Sequence, residues 1–142
     1  MRSTISLYRL AERRGVPVER FTLPLCGSMS LCSDGRCCIA LDRHTPEGSV
    51  EERVHLAHEL GHCLTGSFYN RYSPYDLRLR HENRADRWAV RKLITPRELD
   101  AAVAQGHTEL WDLAEHFGVT EDLMRKAVCL YTHGNLAAEL YF

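Results

Sequence analysis

The sequence predicts an α+β fold in which a small antiparallel β-sheet packs against several helices. β-prone residues interrupted by turn signals fill residues 16–42, and apolar residues at helical spacing dominate from residue 49 onward. The chain has 142 residues, of which 44% are hydrophobic and 26% charged, as is usual for a globular protein. We therefore expect one folded unit, or a core with a small appendage, rather than a disordered chain.

The charge balance argues against some classes of function. Lys and Arg number 18, Asp and Glu number 19, and the formal net charge is −1. Residues 95–142 hold 3 basic and 8 acidic groups, so the C-terminal third is acidic. This balance does not suit a strongly basic nucleic-acid binder. No apolar run approaches the ~18 residues of a membrane helix, and the N-terminus has no apolar signal core, so we expect a cytoplasmic protein without a membrane partner.

The first predicted elements are a helix and three short strands. Apolar residues recur at helical spacing over residues 4–14. Residues 16–25 are β-prone but contain prolines, which predicts an edge strand. Two further strands, residues 28–31 and 36–42, flank an Asp-Gly pair that is typical of a tight hairpin turn.

A capped helix follows the strands. Ser49 and Glu52 form a capping box, because the serine oxygen and the carboxylate can accept hydrogen bonds from the free amides of the first turn. Helical periodicity then continues to Gly66. Residues 67–75 are aromatic and polar and predict a loop, and a second long helix is expected over residues 76–94.

The last third of the chain is predicted to be helical. Thr95 and Glu98 form a second capping box, and the helix that they start should end at Gly106. Two short helices, over residues 108–117 and 120–131, follow. After His133 we expect irregular structure.

Residues 58–62 read His-Glu-Leu-Gly-His, an HExxH motif within the capped helix. On a helix, His58 and His62 lie one turn apart, about 6 Å along the axis, so that both imidazoles can reach one zinc ion. Glu59 lies about 100° around the helix from His58 and can act on a water held at the metal. The pattern therefore predicts a catalytic Zn²⁺ site with Glu59 as the general base.

Two histidines need a third protein ligand, because a catalytic zinc site has three and keeps one position open. Glu82 and Asp86 are four residues apart and share a helix face that is otherwise small and apolar. Two acids on such a face are costly unless something compensates their charge. We expect Glu82 to complete the ligand set and Asp86 to accept the ring N–H of a ligand histidine, His58 first. Without a metal, the same residues would form a buried cluster of histidines satisfied by carboxylates.

Other side chains near the motif could stabilise the oxyanion that attack of a metal-bound water on a carbonyl generates. The candidates are Tyr69, Tyr72, Tyr75 and His81. The sequence does not choose among them. His55, one turn before His58, is expected on an outer face of the helix, because Glu51 is close to it.

The six cysteines do not suggest a disulfide framework. In a reducing compartment, without the CxxC spacing of a zinc knuckle, we expect free thiols rather than disulfides or a second metal site. An oxidation across the hairpin between Cys32 and Cys37 is the alternative. Cys63 follows His62 directly, but adjacent residues point to different sides of a helix, which disfavours a cysteine nucleophile. Four cysteines cluster early in the chain: Cys26, Cys32, Cys37 and Cys38.

These motifs resemble those of known peptidases. The HExxH motif is followed, 20 residues after its second histidine, by Glu-x-x-x-Asp, which is similar to the gluzincin arrangement of thermolysin-like zinc peptidases. More specifically, the chain resembles the ImmA/IrrE family of metallopeptidases. The matching pieces are Leu-Tyr-Arg-Leu-Ala-Glu at 7–12, Leu-Ala-His-Glu-Leu-Gly-His at 56–62, Glu-Asn-Arg-Ala-Asp-Arg-Trp-Ala at 82–89 and Leu-Ile-Thr-Pro at 93–96.

The resemblance has consequences for the site and for the substrate. It implies that His58, His62 and Glu82 bind zinc and that Glu59 is the base. It also implies a protein substrate, often a repressor encoded beside the peptidase in a phage or mobile element.

Two other classes of function compete with this interpretation. Residues 108–131 have the rhythm of a helix-turn-helix, but they hold more acidic than basic groups, so direct nucleic-acid binding is not expected. A non-catalytic zinc-binding regulatory module would keep the metal ligands and could dispense with Glu59. We predict a zinc metallopeptidase domain over residues 1–94 and a small helix-turn-helix-like subdomain over residues 95–142, packed on it.

Overall fold

The computed structural model describes residues 3–70 and 72–136. Within these residues the chain forms three strands and six helices. The strands are β1 (Val18–Phe21), β2 (Ser28–Ser33) and β3 (Arg36–Asp42), and the helices are α1 (Thr4–Arg13), α2 (Val50–Thr65), α3 (Tyr75–Leu93), α4 (Pro96–Ala104), α5 (Leu110–Phe117) and α6 (Glu121–His133). Residues 137–142, part of the irregular stretch expected after His133, lie outside the described residues.

The α+β class is confirmed, whereas one detail of the predicted sheet is wrong. β2 and β3 form the expected antiparallel hairpin, and both turn residues have positive φ, 52° at Asp34 and 74° at Gly35. β1, however, pairs parallel with β3, which gives a mixed sheet in the order β1-β3-β2. The apolar strand β3 takes the central position and is flanked on both sides, so the connection from β1 to β2 passes across it.

α2 lies between the sheet and α3. Ser49 accepts a hydrogen bond from the Glu52 amide at its start, and Gly66 ends it in a left-handed conformation with φ 68°. A Cβ added at Gly61 would lie 2.6 Å from the carbonyl oxygen of Ala85. Only a glycine allows α2 and α3 to approach this closely, and the approach brings the polar face of α3 over the HExxH turn.

A disulfide joins the sheet to α2, which the sequence did not predict. Cys37 on β3 is bonded to Cys63 on α2, with Cα atoms 5.8 Å apart. The expectation that all thiols are free is therefore wrong for this pair, because 26 residues of sequence separate two positions that the packing of α2 on the sheet brings together. The bond also excludes Cys63 as a nucleophile. The remaining cysteines are free thiols: Cys26, Cys32, Cys38 and Cys129.

The C-terminal helices pack on α2 and α3. Arg53 of α2 donates hydrogen bonds to the carbonyl oxygens of Phe117 and Gly118, and the Tyr131 hydroxyl donates to the carbonyl of Ile94. Buried apolar residues of all six helices and of β3 form one hydrophobic cluster. The division at residue 94 remains a prediction. Among the described residues, no helix is both long and apolar enough to cross a lipid bilayer.

Candidate metal centre

Three side chains from two helices converge where α2 and α3 cross. The Nε2 atoms of His58 and His62 lie 3.2 Å apart. The Glu82 carboxylate of α3 reaches them both, with 2.8 Å between Oε2 and His58 Nε2 and 3.2 Å between Oε1 and His62 Nε2. These ligand atoms all lie within 4.8 Å of one another, close enough to share one ion. The structure thus brings together the three residues that the sequence predicted as metal ligands.

The other ring nitrogen of each histidine is held by an acceptor outside the cluster. His58 Nδ1 lies 2.8 Å from Oδ1 of Asp86, the carboxylate that the sequence placed beside it. His62 Nδ1 bonds to the carbonyl oxygen of Ser67, because the left-handed Gly66 turns the chain back over the end of α2. A backbone carbonyl and a carboxylate oxygen only accept hydrogen bonds, so both Nδ1 atoms donate.

This arrangement fits a metal ion. When both rings are neutral and protonated on Nδ1, the two Nε2 lone pairs and the Glu82 carboxylate face one another with no proton among them. Such a convergence of acceptors is repulsive unless a cation lies between them. Two imidazoles and one carboxylate are a ligand set that suits Zn²⁺ and leaves one position open.

A proton on His58 is the alternative to a metal. Burial lowers the pKa of His58, but hydrogen bonds to Asp86 and Glu82 outweigh burial and raise the pKa to about 10. Burial likewise raises the pKa of Glu82, yet hydrogen bonds from the two histidines and from Tyr69 hold it well below its usual range. The cluster therefore carries a strong negative potential, which attracts either a proton or a metal.

Glu59 lies against the sheet side of the cluster and is 5% exposed. Its Oε2 accepts a hydrogen bond of 2.6 Å from the Ser28 hydroxyl on β2. The same hydroxyl oxygen lies 3.0 Å from His55 Nδ1. The placement of His55 on an outer face is therefore wrong, because the ring is half-buried against β2. The sequence did not predict a role for Ser28. The spacing of His55 and Glu59, four residues apart on a helix, could have indicated that both face the same neighbour.

The oxyanion candidates differ in their distance from the cluster. The Tyr69 hydroxyl donates a hydrogen bond of 2.6 Å to Oε1 of Glu82 and so reaches a ligand atom. Burial and the Glu82 carboxylate raise the pKa of Tyr69, which keeps its proton available for donation. Tyr72 and Tyr75 are 79% and 64% exposed. His81 Nδ1 is buried without a hydrogen-bond partner in the described part of the chain. The geometry favours Tyr69.

A lysine of the C-terminal region contacts Asp86, and sequence reasoning did not foresee this contact. Lys126 Nζ of α6 lies 3.0 Å from Oδ2 of Asp86 and 3.2 Å from Oδ2 of Asp122. Asp86 therefore bridges His58 and Lys126. This bridge ties the last helix to the imidazole that faces Glu82.

Comparison with known proteins assigns the chain to a family. A comparison with curated proteins finds no significant match. A family model, the IrrE N-terminal-like domain of peptidase family M78, matches residues 11–128. This range includes every residue of the cluster and most of α6. The chain therefore belongs to the IrrE N-terminal-like family of metal-dependent peptidases.

Proposed function

We propose that this chain is a zinc-dependent endopeptidase that cleaves a peptide bond in one specific protein substrate. In this proposal His58, His62 and Glu82 hold the zinc ion and Glu59 is the general base. The observation that carries the proposal is the convergence of His58, His62 and Glu82, whose ligand atoms lie within 4.8 Å of one another, beside the buried carboxylate of Glu59.

Each residue of the proposed site has a separate role in hydrolysis. When bound, zinc supplies a Lewis acid that acidifies a water molecule and polarises the scissile carbonyl. Glu59 takes the proton of the attacking water on its carboxylate and passes it to the leaving amine. Tyr69 donates its hydroxyl proton in a hydrogen bond to the oxyanion that develops on the carbonyl. Asp86 fixes the tautomer and orientation of His58.

The exposure of the ligands supports access by a polypeptide. The side chains of His58 and Glu82 are 22% and 33% exposed, whereas that of His62 is 5% exposed. The cluster thus opens to solvent on the side of α3.

The identity of the substrate is proposed from the family resemblance. We infer that the substrate is a transcriptional repressor or a similar regulator, encoded beside the peptidase in a phage or mobile element. Such a regulator acts in the cytoplasm, which is also the proposed location of the peptidase.

Substitution of the base tests the function most directly. Glu59→Gln keeps the size of the side chain but removes its ability to accept a proton, so we expect a loss of cleavage of at least ~100-fold with unchanged zinc content. The measurement incubates each zinc-loaded protein with a protein extract of the host cell and identifies new N-termini by chemical labelling and mass spectrometry. A non-catalytic zinc module would give the same N-termini with both proteins, which would contradict the proposal.

A further inference from the structure

The Ser28 hydroxyl contacts the proposed base from the sheet and links it to His55. Ser28 Oγ lies 2.6 Å from Oε2 of Glu59 and 3.0 Å from Nδ1 of His55. The serine belongs to β2, whereas the other two residues lie one turn apart on α2. The three groups therefore link the sheet to the helix that carries the HExxH motif.

Proton counting fixes the direction of the two hydrogen bonds. An ionised carboxylate only accepts, so the single hydroxyl proton of Ser28 goes to Glu59. The Ser28 oxygen must then accept its second hydrogen bond from His55, whose Nδ1 carries the proton. Burial lowers the pKa of His55, which favours a neutral ring.

The backbone next to Ser28 leaves room for the His55 ring and so permits these hydrogen bonds. A Cβ at Gly27 would lie 2.3 Å from Nε2 and 2.6 Å from Cε1 of His55, so the ring occupies the space that any side chain at residue 27 would need. The carbonyl oxygen of Gly27 accepts a hydrogen bond of 2.9 Å from the Asp42 amide. Ser28 itself pairs with Leu41 of β3. The hydroxyl is therefore held on a paired strand rather than on a free loop.

We propose that Ser28 and His55 are positioning residues that hold the Glu59 carboxylate by its Oε2 atom. A carboxylate fixed at one oxygen presents the other to the reacting water in one orientation, and a misplacement of about 1 Å can cost ~100-fold in rate. His55 orients the Ser28 hydroxyl, which acts on Glu59. This proposal rests on the proposed function, since the orientation of Glu59 matters for catalysis only if Glu59 is the base.

The first test reads the histidine directly and needs no substrate. Two-bond ¹H–¹⁵N correlation spectra of the zinc-loaded protein distinguish the two neutral tautomers of each histidine, and His55→Asn assigns the signals. We expect His55 to be protonated on Nδ1 in the wild type and to shift towards Nε2 protonation in Ser28→Ala. Protonation of His55 on Nε2 in the wild type would overturn the proposal.

The second test separates positioning from binding. The probe is a synthetic peptide that spans the cleavage site found by N-terminal mass spectrometry. We expect Ser28→Ala to lower kcat about 10- to 100-fold with KM and zinc content unchanged, and Ser28→Thr, which keeps the hydroxyl, to restore most of the rate. Ser30→Ala, two residues further along the same face of β2, is the matched control and should retain the wild-type kcat.

The outcomes distinguish the two proposals. A wild-type kcat in Ser28→Ala, in an enzyme that needs Glu59, overturns the positioning role alone. An equal loss in Ser28→Thr and Ser28→Ala also overturns it, because packing would then explain the effect. If the zinc-loaded wild type cleaves nothing, the proposed function is wrong and the positioning role fails with it.

Discussion

His58 is the residue at which metal and proton compete. In the metal-free protein, hydrogen bonds to Asp86 and Glu82 overcome the effect of burial and raise the pKa of His58 to about 10, from an ordinary value of 6.5. The protonated ring then supplies the positive charge that the neighbouring carboxylates require. A metal ion must displace this proton, so metal binding and protonation of His58 exclude each other.

The raised pKa predicts how the stability of the metal-free protein depends on pH. A group whose pKa is higher in the folded than in the unfolded state stabilises the fold fully below its unfolded pKa and loses this contribution as pH rises through its folded pKa. The free energy of unfolding of the apoprotein should therefore fall as pH rises from about 6.5 to about 10. Urea unfolding at several pH values measures this. His58→Gln is the control and should lack that fall; an equal fall in both proteins would contradict the assignment.

At the residue scale, local sequence spacing predicted which candidate site residues share one helix or one helix face. The pairs His58 and His62, and Glu82 and Asp86, follow from helical periodicity, which needs no knowledge of tertiary structure. Ser28 could not be predicted, because its contact with Glu59 depends on which end of β2 packs against α2. The hydrogen bond of Tyr69 to Glu82 depends in the same way on the path of a loop.

At the scale of elements, the crossing of α2 and α3 places the third ligand. Gly61 and Ala85 meet where the two helices cross, and Glu82 lies almost one turn before Ala85 on α3. The separation of the helix axes at this point therefore sets the distance from Glu82 to the two histidines. The positions of the helices in sequence were predictable, whereas the closeness of the crossing was not.

Gly61→Ala tests this crossing. In a helix free of close neighbours, Gly→Ala stabilises by up to ~1 kcal/mol. Here the new Cβ would meet the Ala85 carbonyl at 2.6 Å, and backbone must move. We expect a loss of about 1–3 kcal/mol in the free energy of unfolding and weaker zinc binding, measured by urea denaturation and zinc titration. A stabilised variant with unchanged zinc affinity would show that the helices are not in close contact.

The strands and cysteines show that local contacts were predictable from the sequence and that long-range contacts were not. The hairpin of β2 and β3 is local and was predicted from an Asp-Gly pair. The parallel pairing of β1 with β3 and the Cys37–Cys63 disulfide both join segments that are distant in sequence. Neither periodicity nor cysteine spacing carries information about such contacts.

At the scale of the whole molecule, residues from both parts of the predicted two-part organisation share one contiguous core. The apolar cluster includes Leu93 of α3 together with Leu113 of α5 and Met124 of α6, and Lys126 of α6 contacts Asp86. The fold class and the order of helices were predictable because each helix carries its own cap and apolar face. The packing of the last three helices on the first part was not predictable, because it depends on contacts between distant segments.

The shared core predicts cooperative unfolding. The two tryptophans report on the two parts, because Trp88 lies on α3 and Trp111 on α5. We expect Trp88→Phe and Trp111→Phe to unfold in single transitions, each with the same urea midpoint by fluorescence as by circular dichroism. Distinct midpoints within one variant would mean that the C-terminal helices unfold independently of the rest.

Metal content decides whether His58, His62 and Glu82 form a zinc site. The wild type and Glu82→Ala are purified without chelator and without a nickel column, and zinc is measured by elemental analysis. We expect about one zinc per chain in the wild type and its loss in the variant, because two histidines alone bind zinc weakly. Unchanged stoichiometry in Glu82→Ala would point to another third ligand, Asp86 or His81 first. A wild type that neither contains zinc nor takes it up when zinc is supplied would contradict the proposed function and leave His58, His62 and Glu82 as a structural polar cluster.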